Sequence, residues 1–344
     1  MKAVRLHEYH QRPTVDDVPE PKVSGPLDVL VRIGAAGLCR TDLHIYEGQW
    51  EHIHHPKLPF TLGHENAGWV EEVGSAVVNV APGDTVILHP LLTCGQCAAC
   101  RAGNDMHCAN GVFPGVDGTD GGMAEYLLTG ARNCVKLDPS LQPADIAALA
   151  DAGLTAYHAV KKAVPLLYPG TTALVIGAGG LGHIGVQSLR ALSGCTIVVM
   201  DRNQAALDLV GSMGADHTVL ADGGEADKVK ELTNGLGAEV VFDFVGEQGA
   251  EAQGWDLTRA GGSHYIIGYG GTVNVPTIDV ISTERSVIGN LVGTYNDLAE
   301  LMVLTAQGKV KLHTSTYPLD AVNEAMDDLD AGKLRGRGIL VPGG

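Results

Sequence analysis

Ala173-Leu174-Val175-Ile176-Gly177-Ala178-Gly179-Gly180-Leu181-Gly182 decides the fold of this chain. The apolar run Ala173–Ile176 reads as a buried strand. Gly177 to Gly182 then fits G-x-G-x-x-G. The following residues carry apolar side chains at Leu181, Ile184, Leu189 and Leu192, mostly on one stripe of a helix. In a strand–turn–helix unit of this kind each glycine has a physical task. Gly177 makes the tight turn, Gly179 lets backbone approach a pyrophosphate, and Gly182 allows close helix–strand packing. Gly180 and Leu181 complete the turn, and the helix N-terminus offers N–H groups and partial positive charge to phosphate. The stretch predicts a dinucleotide site.

Asp201 ends the next apolar run, Thr196-Ile197-Val198-Val199-Met200, nineteen residues after Gly182. A carboxylate there accepts the ribose hydroxyls of adenosine and repels a 2′-phosphate, which favours NAD over NADP. Arg202 follows it and could serve a 2′-phosphate, so NADP stays open. Further apolar runs, Val240-Val241-Phe242-Asp243-Phe244 and Tyr265-Ile266-Ile267-Gly268, alternate with helical stretches. Such alternation implies βαβ units and a parallel sheet. Val245, Gly268, Leu291 and Val292 follow the expected strand ends, where backbone groups could hold ribose and carboxamide.

Before about residue 150 the texture differs. Val29–Ile33, Gly68–Gly74 and Gly83–Leu88 are short alternating segments separated by Gly and Pro, the pattern of a β-rich domain. The expected fold class is α/β, with three segments: a β-rich catalytic domain over 1–151, a doubly wound, parallel-sheet coenzyme domain over 152–290, and a C-terminal return to the first domain over 291–344.

Four of the seven cysteines, Cys94, Cys97, Cys100 and Cys108, are spaced C-x2-C-x2-C-x7-C. Four thiolates on one lobe, about 91–110, make a closed tetrahedral cage, and zinc is the usual occupant of an all-sulfur cage. The seven-residue gap and Ala109 after Cys108 do not fit the ferredoxin run. An odd cysteine count in a long chain argues against a disulfide framework. A closed cage is structural, so chemistry belongs elsewhere. Cys134 and Cys195 lack ligand-type neighbours and read as small buried residues.

The net charge of −17 repels phosphate backbones, so nucleic acid is not an expected partner. No apolar run approaches the ~18 residues that span a bilayer, so no membrane association is expected. The first residues enter strand-like sequence at once rather than a signal peptide, and reduced cysteines point to the cytoplasm.

A second group of metal-type residues is dispersed: Cys39-Arg40-Thr41-Asp42-Leu43-His44, then Gly63-His64-Glu65, then Asp151. Spacing alone does not join them, and a buried cysteine with a satisfied histidine is the ordinary reading of such residues. Taken in order with the cysteine lobe and the glycine motif, however, they resemble the zinc-dependent alcohol dehydrogenases of the medium-chain dehydrogenase/reductase family. The resemblance runs from the first strand to Leu334-Arg335-Gly336-Arg337-Gly338.

The resemblance implies a GroES-like catalytic domain beside the Rossmann domain and two zinc ions per chain. Cys39, His64 and Asp151 would hold the catalytic zinc. Asp151 stands where the liver and yeast types carry a second cysteine, and it is a harder but acceptable ligand. Glu65 matches a glutamate that can approach the metal. Asp42 would accept the free ring N–H of His64 and fix its tautomer. Thr41 would take the substrate proton and pass it through the cofactor ribose to His44. Arg40 and Arg337 match arginines that contact pyrophosphate. Trp50 and Leu88-His89-Pro90-Leu91 match parts of an apolar pocket, and His52, His54 and His55 read as an exposed loop at its mouth. The implied activity is reversible hydride transfer between a primary or secondary alcohol and NAD, in a homodimer or homotetramer. The alternatives are a polyol or amino-alcohol dehydrogenase, an NADP-dependent carbonyl reductase, and a non-enzymatic zinc- and nucleotide-binding protein.

Overall fold

The computed structural model describes residues 1–49 and 51–343, and for Ile53 and His54 the backbone alone. Two compact units result. One comprises residues 1–154, 293–306 and 311–344, and the other residues 155–292 and 307–310.

The second unit is a six-stranded sheet in the order His217–Leu220, Thr196–Asp201, Thr172–Ile176, Ala238–Asp243, Thr258–Ile266, Ser286–Gly289. Every neighbouring pair is parallel. Counted along the unit the order is 3-2-1-4-5-6, that of dinucleotide-binding doubly wound sheets. Strand periodicity sends alternate side chains to opposite faces. Ala173 and Val175 enter one core with Val186, Leu189, Val199 and Phe242, whereas Leu174 and Ile176 enter another with Val198, Met200 and Val241. A sheet buried on both faces needs apolar runs without polar alternation, as these strands have. The topological reversal lies between Thr172–Ile176 and Ala238–Asp243, so the carboxyl ends of those strands open the crevice where ligands bind in such sheets.

The first unit is built on a seven-stranded sheet in which Asp28–Leu38 is the longest strand. The strand expected over Val29–Ile33 runs on to Leu38, because its later residues also pair with Glu65–Val73 and with Arg337–Val341. Arg337–Val341 and Thr314–Pro318 belong to this sheet and form one of its ends. A three-stranded sheet of Thr14–Asp17, Lys2–Leu6 and Phe60–Thr61 packs in the same core, with Val4, Leu6, Phe60, Leu62 and Met123 all at most 1% exposed. Among the described residues no helix is long and apolar enough to cross a membrane.

Candidate metal and dinucleotide sites

Asp28–Leu38 delivers Cys39 to the N-terminus of a helix, Arg40–Tyr46. Cys39 is the N-cap. The Asp42 carboxylate reaches back to accept the Cys39 N–H at 2.8 Å, which satisfies an orphan donor of the first turn. The same carboxylate faces His64 from its other oxygen, with Oδ1 3.7 Å from Nδ1. The far ring nitrogen, Nε2, stands 3.5 Å from Asp151 Oδ2. Ligand atoms of Cys39, His64, Glu65 and Asp151 all lie within 4.8 Å of one another. His64, Glu65 and Asp42 are at most 1% exposed. Phe113 packs edge-on against His64 at 5.5 Å between ring centres and gives the cluster an apolar wall.

This group fits a cation. Among the described residues neither His64 ring nitrogen has a partner in hydrogen-bond geometry, and neither has Asp42 Oδ1. Burial opposes charge on His64, yet Asp42, Asp151 and Cys39 outweigh it and raise its pKa well above the ordinary imidazole value. Burial likewise raises the pKa of Asp42, which the charge of His64 only partly offsets. One sulfur, one imidazole nitrogen and one carboxylate oxygen form a donor set suited to zinc, with three protein ligands leaving one position open.

Glu65 is held differently. It accepts the Ala152 N–H at 2.9 Å and both its oxygens take hydrogen bonds from the Arg337 guanidinium. Arg337, a pyrophosphate arginine by resemblance, lies only 4% exposed against Glu65. The physical reason is the carboxylate, since a buried Glu65 needs a buried counter-charge. Burial works against the Arg337 cation, but Glu65 and Cys39 outweigh it and keep its pKa raised. Arg337→Met is expected to lower stability by about 3–5 kcal/mol, the usual penalty for stranding one partner of a buried pair. Denaturant titration checks this, and an unchanged midpoint would show that Glu65 does not need the cation.

The other residues expected near this site are scattered in role. Thr41 is half-buried on the same helix. His44 is 9% exposed, with Nδ1 3.5 Å from Glu47 Oε2. Arg40 pairs with Asp330 at 3.2 Å on an exposed face. His89 is buried, its ring nitrogens 3.1 and 3.0 Å from the carbonyl oxygens of Leu91 and Gly293. Trp50 and the His54 side chain lie outside the described residues. His52 and His55 are exposed, and the expected loop contains a helical turn, Glu51–His54.

The four-cysteine lobe folds around its sulfurs. Cys97 caps the short helix Ala98–Arg101, and Cys108 follows the turn Asp105–His107. Cys94 Sγ lies 4.0 Å from Cys100 Sγ, and Cys97 Sγ 4.0 Å from Cys108 Sγ. A tetrahedron with Zn–S bonds of 2.3 Å has edges of about 3.8 Å, so the cage is close to the size zinc needs. Backbone N–H groups of Gln96 and Cys97 point at Cys94 and pull its pKa down to about 6, whereas burial pushes Cys100 up to about 11. None of the seven cysteines is disulfide-bonded. Cys134 and Cys195 are buried, at 0% and 2% exposure.

In the second unit Gly177 turns with a φ of 92° out of strand Thr172–Ile176, and the helix Gly182–Leu192 follows, with Leu181 as its N-cap. A Cβ on Gly182 would stand 1.8 Å from the Gly177 carbonyl oxygen, so only glycine fits. A Cβ on Gly179 would meet nothing within 4 Å, leaving that face of the turn open to a phosphate. Asp201 accepts the Ala178 N–H at 2.6 Å and the Asn203 N–H at 2.7 Å, which aims its carboxylate across the glycine turn. Beside it is a cleft of about 360 Å³ whose walls include Gly177, Asp201, Glu225, Val245, Glu247 and Gln248. Arg202 also lines the cleft and donates to Gln248 at 2.8 Å. Glu225, Glu247 and Gln248 were not foreseen. They come from loops and a helix start whose sequence carries no motif.

Val245 packs against Gly177, and Gly268 touches the Val245 backbone. Leu291 is 54% exposed, and Val292 is 6% exposed with a left-handed φ of 46°. A β-branched residue in that region is strained, as backbone at working sites often is.

Residues 25–139 match the alcohol dehydrogenase GroES-like domain family, and residues 180–307 match the zinc-binding dehydrogenase family. The chain is 35% identical to the D-arabinose 1-dehydrogenase (NADP(+)) of Saccharolobus solfataricus, over 99% of this chain and 97% of the relative. It is also 35% identical to an NAD-dependent alcohol dehydrogenase of Sulfurisphaera tokodaii, over 99% of this chain and all of the relative. The crystal structure of the alcohol dehydrogenase of Aeropyrum pernix superposes with a TM-score of 0.96 at 46% identity, covering 99% of this chain and 100% of that one. With both domain families matched in order and relatives aligned over the full length, the chain belongs to the zinc-binding dehydrogenases of the alcohol dehydrogenase family.

Proposed function

We propose that this chain is an NAD-dependent zinc alcohol dehydrogenase that interconverts an uncharged primary or secondary alcohol and its aldehyde or ketone. The observation that carries the reading is the convergence of Cys39, His64 and Asp151, with Glu65, inside 4.8 Å. A zinc ion held there supplies Lewis acidity toward a hydroxyl or carbonyl oxygen, and the nicotinamide supplies the hydride acceptor. The chain's own residues do the rest. Asp42 faces the His64 ring from 3.7 Å and supplies the negative charge behind it. Arg337 neutralises Glu65, so that Cys39, His64 and Asp151 are left as the ligands. Thr41 and His44 are suited to carry the proton outward, because His44 sits beside Glu47, whose side chain is 43% exposed. The cysteine lobe holds the second zinc and shapes its own loop.

The cleft beside Asp201 supports NAD. It gathers the carboxylates of Asp201, Glu225 and Glu247 around one guanidinium, that of Arg202, which is already engaged by Gln248. Like charge opposes a 2′-phosphate. Asp201→Ala is expected to lower kcat/KM for NAD and raise it for NADP, moving the ratio of the two about 100-fold. Initial rates with both cofactors measure this, and an unchanged ratio would remove Asp201 from the discrimination. A second reading, a polyol or sugar dehydrogenase using NADP, has one supporting observation in the Saccharolobus relative. A panel of primary, secondary and aromatic alcohols, polyols and aldoses with NAD and NADP separates the two. Turnover confined to polyols or aldoses with NADP would favour the second.

The open edge of the parallel sheet supports a homo-oligomer. Among the described residues Ser286–Gly289 pairs on one side only, and near it Ile278, Ile281, Val287 and Leu291 are 66%, 72%, 45% and 54% exposed. An apolar edge of this kind is normally covered. A location in the cytoplasm accords with seven unpaired cysteines.

A further inference from the structure

Behind the turn Val245–Gly246 lies a group of buried ionisable side chains that the chemistry above does not use. Asp243 ends the strand Ala238–Asp243 and is fully buried. Its Oδ1 accepts two consecutive backbone N–H groups, from Val245 at 2.9 Å and from Gly246 at 2.8 Å. Its Oδ2 has no hydrogen-bond partner among the described residues and faces His264 Nε2 at 3.9 Å. His264, on the neighbouring strand Thr258–Ile266, is also fully buried, and neither of its ring nitrogens has a hydrogen-bond partner there. Helix Ala250–Leu257 presses on it from one side. A Cβ on Gly254 would come within 2.4 Å of Nε2, so the ring has no room to turn away.

Two polar side chains with unmet hydrogen-bonding capacity in a sheet interior are unfavourable relative to apolar residues of the same shape. A core under selection for stability alone would place apolar side chains there, as the paired positions Ile176, Ile266, Val241 and Val287 do. What this pair accomplishes is local. It fixes the turn that follows the strand. That turn is one wall of the glycine cradle, because a Cβ added to Gly177 would stand 2.8 Å from Val245 Cγ2. It is also locked from the far side, since a Cβ on Gly246 would stand 2.1 Å from the Gly268 carbonyl.

We propose that Asp243, supported by His264, is a positioning residue for the half of the dinucleotide that extends beyond the phosphates, acting through the Val245–Gly246 backbone. The proposal rests on the dinucleotide-binding reading above. Neither side chain touches the cofactor. Asp243 acts by holding two N–H groups in one direction, which sets where the Val245 side chain and the following carbonyls point. Burial raises the pKa of Asp243 and lowers that of His264 to about 4, so the imidazole behind the carboxylate is neutral. It is the carboxylate oxygens, and not a fixed charge pair, that shape the turn. An amide oxygen can accept the same two N–H groups.

The test compares two probes on intact protein. NADH binding, read by the change in its fluorescence, reports the whole dinucleotide. AMP binding, read by calorimetry, reports the adenosine end at Asp201. Asp243→Ala is expected to weaken NADH at least ten-fold and to leave AMP within two-fold of wild type. Asp243→Asn is expected to restore NADH binding to within three-fold. Equal loss of both probes in Asp243→Ala would reduce Asp243 to a residue that merely keeps the unit folded, and wild-type binding of both would leave it without any role in the turn; either outcome overturns the proposal. Failure of the wild-type protein to bind either probe would instead overturn the dinucleotide reading beneath it.

Discussion

Cys39→Ser and His64→Ala are each expected to lower alcohol oxidation by about three orders of magnitude while leaving the fold intact. The magnitude follows from the several kcal/mol of charge stabilisation that a metal Lewis acid supplies, at 1.36 kcal/mol per decade of rate. Among the described residues neither His64 ring nitrogen makes a hydrogen bond, so truncating the ring removes none. His64→Ala also leaves a small cavity beside Phe113, which costs some stability without unfolding the unit. Circular dichroism and NADH binding should match wild type, because the glycine turn and Asp201 belong to a different compact unit. Wild-type turnover in either variant would remove these residues from the chemistry.

Cys100→Ser is expected to lower stability sharply. Cys100 is the buried member of the four-sulfur lobe, at 6% exposure. Apparent zinc-binding energies of about 10–16 kcal/mol in small all-protein sites mean that the ion organises such a loop. Losing one sulfur should release it and lower the thermal midpoint by on the order of 10 °C in a chain of this size. Limited proteolysis should then cut within 91–110, and one equivalent of zinc should be lost. An unchanged midpoint with an unchanged metal count would show that the lobe holds itself without an ion.

How much of this was legible in the chain depended on distance along it. The glycine turn and the four-cysteine lobe are local, since every residue that builds them lies within a few turns of its partners. Their spacing alone carries the geometry. The parallel sheet was legible where its strands are buried on both faces, as at Thr172–Ile176 and Thr196–Asp201. It was not legible at His217–Leu220 and Ser286–Gly289, which are sheet edges with exposed positions and no apolar run to mark them. The Cys39 cluster was legible only through the family pattern, because Asp151 reaches His64 from far along the chain and nothing in its own neighbourhood announces a ligand. Arg337 shows what that pattern left out. Its partner Glu65 is 272 residues away, and a basic residue in a glycine-rich tail gives no sign of being buried. Asp243 was hidden for a different reason. It sits in an apolar strand, where a single carboxylate reads as the strand's end and not as the support of the turn that follows.

The central claim is that a second cation sits among Cys39, His64 and Asp151 in addition to the one in the cysteine lobe. Its most direct test is the zinc content of purified, fully metallated protein, measured per chain for the wild type and for Cys39→Ser. The account requires two equivalents in the wild type and one in the variant. One equivalent in both would contradict it.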